Sequence, residues 1–184
     1  MVYVFEGEGK GKTSAALGVA VRMLAIGKKV VWISWFKTEK WPLSEMKLPD
    51  YFGEQLEMYW MGEGFYLRGL KTAKTQKATV YDFDTPTGHK IAAEQALKLV
   101  EKLLQRKGTP DLIVMDEVIQ AIDERLLSEK EVLEVIKKRG KVHLVLTGHV
   151  CPKRLIKEAD LVTKMEKIKH PYDKGVLAVK GLDY

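Results

Sequence analysis

The stretch Gly7-Glu8-Gly9-Lys10-Gly11-Lys12-Thr13-Ser14 follows the apolar run Val2-Tyr3-Val4-Phe5 and precedes an apolar segment opening at Ala15-Ala16-Leu17. A strand, a glycine-rich loop ending in Gly-Lys-Thr and a helix make a phosphate cradle. Glycines let backbone amides converge on phosphate oxygens, Lys12 reaches the outer phosphates, and the Thr13 hydroxyl can ligate Mg²⁺. The positive end of the helix dipole adds to the same attraction. The order strand, loop, helix points to a nucleoside triphosphate rather than to a plain glycine turn with a solvated lysine pair. The usual spacing puts a glycine five residues before Gly11, where this chain has Glu6. The loop is therefore one residue short, and Gly9 adds a further flexible point.

Strands and helices alternate along the rest of the chain. Strands are predicted at Val2–Glu6, 30–36, Leu56–Trp60, 111–115, 142–146, 161–165 and 176–179. Helices are predicted at 12–26, 87–106, 128–139 and 152–159. The run 30–36 is continuously apolar, as in a strand buried on both faces. Helix 87–106 carries a stripe of Ile91, Ala92, Ala96, Leu99, Val100, Leu103 and Leu104. Ser128 with Glu131 forms a capping box at the next helix, and Pro152 suits a helix's first turn. This alternation predicts an α/β fold with a mainly parallel, doubly wound sheet, like the phosphate-loop NTPases of RecA type. Ligands of such sheets lie beyond the carboxyl ends of the strands, where the loop, Asp116-Glu117 and Thr147-Gly148-His149 all fall.

The length of 184 residues fits one nucleotide-binding domain, 1–184. Residues 37–84 show little regular pattern and many aromatics, and are the expected substrate loops. No run of 18 apolar residues is present, so neither a membrane span nor a signal peptide is expected. The single cysteine, Cys151, excludes an intramolecular disulfide and fits a cytoplasmic protein with a packed thiol at a helix start. The net charge of +6 is spread over lysines at helical spacing among glutamates, which reads as solvated helix faces; nucleic acid is not an expected partner. The chain has no asparagine and five glutamines, a thermophile-like avoidance of labile amides.

The chemistry-bearing residues gather around the loop. Asp116-Glu117 ends an apolar strand, and a carboxylate there holds Mg²⁺ directly or through water; in a hydrolase Glu117 would also polarise a water. Trp32 reads as core. Trp35, Phe36, Trp41, Phe65 and Tyr66 read either as platforms for a large flat ligand or as loop anchors. His149 and His170 are open between acid–base, ligand and structural roles, with no zinc-type Cys/His cluster and no Ser/His/Asp set.

Together these residues resemble the corrinoid adenosyltransferase family, the ATP:cob(I)alamin adenosyltransferases of phosphate-loop type. Its loop reads Gly-Asn-Gly-Lys-Gly-Lys-Thr, against Gly7 to Thr13 here. Ala15-Ala16-Leu17-Gly18 also matches, and Lys37 with Trp41-Pro42 and Glu45 is similar to its Lys-Gly-Thr-Trp-Pro-x-Gly-Glu with one residue inserted. Gly64-Phe65, Asp116-Glu117, Thr147-Gly148, Ala159-Asp160, Lys169-His170, Asp173, Gly175 and Gly181-Leu182-Asp183-Tyr184 follow in the same order. The resemblance implies transfer of the 5′-deoxyadenosyl group of Mg-ATP to reduced cobalt of cob(I)alamin or another corrinoid, with release of triphosphate. It implies ATP held reversed in the loop, with Lys12, Thr13 and Glu117 acting on the leaving group. Gly7 to Ser14, Lys37, Trp41, Phe65 and Tyr66 would bind the substrates, and Thr13, Asp116 and Glu117 the magnesium. It also implies a homodimer and a reductase that supplies the reduced corrinoid. The chain departs from the family at Leu67, where a tryptophan stands, and at His149, where an arginine stands, with Arg154 nearby in sequence as a substitute. An ATP- and corrinoid-binding regulatory relative and a phosphate-loop NTPase are the alternatives.

Overall fold

The computed structural model describes residues 1–64 and 86–184; Phe65, Tyr66 and Leu67 lie outside the described residues. Six strands form one parallel sheet: β1 (Val2–Glu6), β2 (Val30–Ser34), β3 (Leu56–Trp60), β4 (Leu112–Asp116), β5 (His143–Thr147) and β6 (Leu161–Lys164), in the order β3-β2-β4-β5-β1-β6. The helices are α1 (Lys12–Ala25), α2 (Leu48–Phe52), α3 (Pro86–Gln105), α4 (Val118–Asp123), α5 (Glu129–Lys138) and α6 (Lys153–Glu158). Strand residues alternate between the two faces, as the two-residue period of a strand requires. Val4, Ile33, Met115 and Leu146 share one core with α3 and α5, while Phe5, Trp32, Val114 and Val145 share the other with Ala16, Ala20 and Leu24 of α1. Burial of the inner strands on both faces explains why β2 and β4 are apolar without alternation.

The doubly wound parallel sheet predicted from the strand–helix alternation is the observed one, and strand ends move by no more than two residues. The capping box forms, with Ser128 Oγ accepting from Glu131 N and Glu131 Oε2 accepting from Ser128 N. Three expectations are corrected. Residues 176–179 are not a strand; Val176, Leu177 and Val179 stand exposed in an irregular tail, with no pairing strand among the described residues. Ile91 is exposed, and Ala93 and Leu97 take its place in the α3 stripe. Within 37–64, short 3₁₀ turns and α2 precede β3, so that part is more regular than expected. Helix α4 has no counterpart in the sequence reading. Among the described residues no helix is long and apolar enough to cross a membrane.

Candidate nucleotide site

The carboxyl ends of β1, β2, β4 and β5 bring the polar residues together. β1 runs into the loop and α1, whose N-cap Gly11 is left-handed (φ 108°) and supplies no side-chain cap; the first turn holds no acidic residue. An uncapped helix start leaves backbone amides at its positive end without internal acceptors, an arrangement suited to an anion from outside. Lys12 Nζ donates to the carbonyls of Gly7 (2.7 Å) and Gly9 (2.8 Å), which folds the lysine along the loop. Burial pushes its ammonium below the ordinary lysine range, against the attraction of Glu8, Glu117 and Asp116.

Two loop glycines serve a purpose the sequence did not reveal. Gly7 N donates to His149 O and Gly9 N to Met165 O, each at 2.8 Å, so both amides tie the loop to the ends of β5 and β6. A Cβ on Gly9 would stand 2.7 Å from Glu166 O, and one on Gly7 would overlap Met165 O. These glycines are required by close backbone approach to β6, which leaves the helix start from Gly11 onward as the part of the loop whose amides are not tied to a neighbouring strand end.

Asp116 is the hub of the site. It is fully buried, with Ser34 directly opposite in the β2–β4 register. Its Oδ1 accepts from Thr13 Oγ1 (3.1 Å) and Thr147 Oγ1 (2.8 Å). Its Oδ2 accepts from Ser34 Oγ (3.2 Å) and lies 3.0 Å from Lys37 Nζ. Lys37 also pairs with Glu45 at 3.1 Å. Burial alone would lower the Lys37 ammonium, but Asp116, Glu117 and Glu45 outweigh it and hold it above the ordinary lysine range.

Glu117 contrasts with its neighbour. It sits in the left-handed region (φ 66°), a posture costing about 1–2 kcal/mol for a residue with a side chain. Its amide donates to Thr147 Oγ1 at 2.8 Å. The residue keeps some solvent contact, but Oε2 is sealed from solvent and has no hydrogen-bond partner among the described residues. Burial, then Asp116, push the carboxyl up to about 7, with Lys37 and Lys12 pulling the other way. A buried, unsatisfied carboxylate beside a hydroxyl whose proton is already committed to Asp116 is a donor set that fits a hard divalent cation. Among the described residues no group of three or more His, Cys, Asp or Glu is placed to hold a metal by itself, so substrate oxygens would complete any such shell.

These side chains open onto a cleft of about 510 Å³ lined by Thr13, Ser14, Lys37, Glu45, Glu117 and the tail Gly181–Tyr184, among others. A more apolar hollow of about 440 Å³, around Met1, Tyr3 and Ile26, lies at the other ends of the strands and away from this chemistry.

The remaining candidates divide. Lys10 pairs with Asp183 of the tail, and Glu8 is exposed, 3.7 Å from His149 Nδ1. Trp41 occupies the turn after Lys37, its amide donating to Thr38 O at 3.1 Å. Trp32, Trp35 and Phe36 are core, which decides the last two as anchors rather than platforms. His170 is structural, its Nδ1 accepting from Tyr172 N at 3.1 Å. Cys151 is buried before α6, its thiol pushed up to about 12 by burial, Glu6 and Glu129. Ser34 and the role of Thr147 are not legible in the sequence. Their only signal was a hydroxyl residue at the last position of an apolar strand.

A parallel α/β sheet with a glycine loop and an uncapped helix after its first strand, and a carboxylate hub on the strand two places away, defines a phosphate-loop nucleotide-binding protein. Comparison with known proteins places it further. Over residues 1–184 the chain matches the family described as ATP:corrinoid adenosyltransferase BtuR/CobO/CobP, and it belongs to that family of enzymes. It is similar to the corrinoid adenosyltransferase CobA of Salmonella typhimurium, with 31% identity over 185 residues, 100% of this chain and 85% of that protein. It is 33% identical over 188 residues to the corrinoid adenosyltransferase of Pseudomonas aeruginosa, covering 100% of this chain and 83% of that one. Among solved structures, the replication initiator DnaA bound to AMPPCP and single-stranded DNA aligns at a TM-score of 0.42 and 11% identity, covering 90% of this chain and 40% of that one, a likeness too loose to add to the argument.

Proposed function

We propose that this protein transfers the 5′-deoxyadenosyl group of ATP to the cobalt of a reduced corrinoid such as cob(I)alamin, releasing triphosphate. The observation that carries the reading is the division of labour at Asp116-Glu117. The first carboxylate is saturated by Thr13, Thr147, Ser34 and Lys37, and the second is left open beside the loop. Cob(I)alamin is itself the nucleophile. Its cobalt electron pair becomes the bond to the ribose 5′ carbon, the C5′–O bond breaks, and the triphosphate leaves with the electron pair of that broken C–O bond as Co(I) becomes formally Co(III). The protein therefore needs no general base at the reacting carbon; it must align the two substrates and stabilise charge on the departing triphosphate.

The residues suit that work. Lys12 and the amides at the start of α1 supply positive charge to the polyphosphate. Thr13 and Glu117 would hold magnesium, with Asp116 orienting the Thr13 hydroxyl, and the bound ion would neutralise charge on the leaving group. Lys37, 3.0 Å from Asp116 Oδ2, keeps that carboxylate in place and so keeps the hydroxyl network directed. Trp41, Phe65 and Tyr66 are assigned to the corrinoid, within a proposed substrate region of about 37–84 in one domain, 1–184. A cytoplasmic homodimer served by a separate reductase completes the proposal.

A second reading has one observation in its favour. A buried carboxyl near pH 7, such as Glu117, is also poised to take a proton from water in ATP hydrolysis. The products separate the two. Protein, Mg-ATP and chemically reduced cobalamin, mixed without oxygen, should give a light-sensitive alkylcobalamin and inorganic triphosphate in equal amounts. Orthophosphate without alkylcobalamin would establish hydrolysis and reject the transfer. Binding of ATP with no product would mark a regulatory relative.

A further inference from the structure

The C-terminal tail ends against the phosphate loop. Asp183 uses its two carboxylate oxygens differently: Oδ2 accepts from Val179 N at 2.7 Å, closing a turn, and Oδ1 forms an ion pair with Lys10. The turn is reinforced by Asp183 N to Val179 O (2.8 Å) and Gly181 N to Tyr184 O (2.7 Å). Ser44 Oγ donates to Tyr184 O at 2.7 Å, which pins the tail across the cleft containing Thr13 and Glu117. The carboxylate is thus held in a fixed orientation on a lysine that stands between two loop glycines.

The attachment is polar and shallow. Leu177 and Leu182 are 78% and 81% exposed, so the tail buries little apolar surface where it docks. Segments with few buried apolar contacts detach at low free-energy cost. The Lys10 side chain is 48% exposed, and an ion pair with that much solvent contact is readily exchanged for another anion.

We propose that Asp183 is a built-in competitor for polyphosphate at Lys10. Phosphate oxygens entering the loop take over the lysine, and the tail gives up its place on the cleft. The carboxylate thereby sets a threshold for polyphosphate binding and couples occupancy of the loop to the position of residues 181–184. This inference rests on the loop being a polyphosphate site, as proposed above.

The test uses the full chain and magnesium tripolyphosphate as the probe, titrated calorimetrically at about 50 mM salt, where screening of surface charge is weak. The variants are Asp183→Asn and, as a control for net charge, Asp173→Asn, whose carboxylate pairs with Lys167 rather than with the loop. Asp183→Asn should bind about two- to fivefold tighter than the parent. Asp173→Asn should shift by less than half as much, and the Asp183→Asn gain should shrink at about 0.5 M salt. Equal or weaker binding by Asp183→Asn, with the parent binding well, would overturn the competition and leave the polyphosphate site standing. Equal gains in both variants would reduce the effect to bulk charge and also overturn it. No tripolyphosphate binding by any of the three proteins would reject the loop reading and this inference together.

Discussion

Replacing Glu117 by glutamine should make the metal-free protein more stable, by an amount that depends on pH. The carboxyl is raised from its ordinary 4.5 to about 7 by burial and by Asp116. A difference of this size between folded and unfolded chain corresponds to about 3 kcal/mol at 1.36 kcal/mol per unit. The direction follows from which state keeps the proton. Below pH 4.5 both folded and unfolded chains hold it, and the group contributes nothing. Between 4.5 and 7 the unfolded chain ionises first, so folding stability falls as pH rises. Above 7 both states are ionised and the full penalty of about 3 kcal/mol is present. Glutamine keeps the shape and removes the charge. Urea melts in the presence of a chelator should show Glu117→Gln and the parent within about 0.5 kcal/mol near pH 4.5, with the variant about 2–3 kcal/mol more stable at pH 8. For a chain of this size that gain corresponds to a rise in Tm of about 4–12 °C. The same variant should lose magnesium-dependent ATP binding. A stability difference that is constant between pH 4.5 and 8, or a variant less stable at pH 8, would refute the claim that Glu117 is an unpaired buried carboxyl.

Three further outcomes test other parts of the structure. Lys37→Met leaves Asp116 and Glu45 without their shared cation and should cost about 3–5 kcal/mol in urea melts at pH 7, against little change if the network is dispensable. Gly9→Ala drives a Cβ to 2.7 Å from Glu166 O and should cost about 1–3 kcal/mol along with at least about tenfold in ATP affinity. Its control, Gly18→Ala in α1, meets nothing within 4 Å and should stabilise by about 0.5–1 kcal/mol. Cys151 should resist alkylation by iodoacetamide at pH 8 in the native protein and react at an ordinary rate in urea, because its thiol is buried and raised to about 12.

The sheet was legible because β1, β2, β4 and β5 are buried on both faces, and double burial writes continuous apolar runs into a sequence. The same rule misled at 176–179. Val176, Leu177 and Val179 are apolar, and the two valines are β-branched, enough to read as a strand, yet among the described residues no strand pairs with them and they remain exposed. Helix α4 was not legible for a different reason. It has six residues, follows a left-handed Glu117 and has no side-chain cap, so none of the usual start signals is present. At the site, the residue types were readable and their division was not. Asp116 and Glu117 are adjacent acids after one strand, and only the β2–β4 register shows that Ser34 and Lys37 reach the first and leave the second open.

The short loop acquires a physical explanation from the same geometry. In the sequence its glycines read as devices for cradling phosphate. In the fold, Gly7 and Gly9 turn their amides away from the cleft, onto His149 O and Met165 O, and no side chain fits between the loop and the end of β6. Strand β6 is the edge strand beside β1, and all of its residues are exposed, so these loop contacts are part of what holds it in place. A loop stitched to both neighbouring strand ends is short because its path is set by protein backbone as well as by a ligand. In the binding mode proposed above the anion would meet the helix start from Gly11 onward, with Lys12 lying along the loop and Thr13 tied to Asp116. Stiffness of this kind favours holding a polyphosphate in one fixed posture while chemistry occurs at its far end. The adenosyl transfer proposed above, which breaks the bond between triphosphate and carbon, would draw on such a fixed posture.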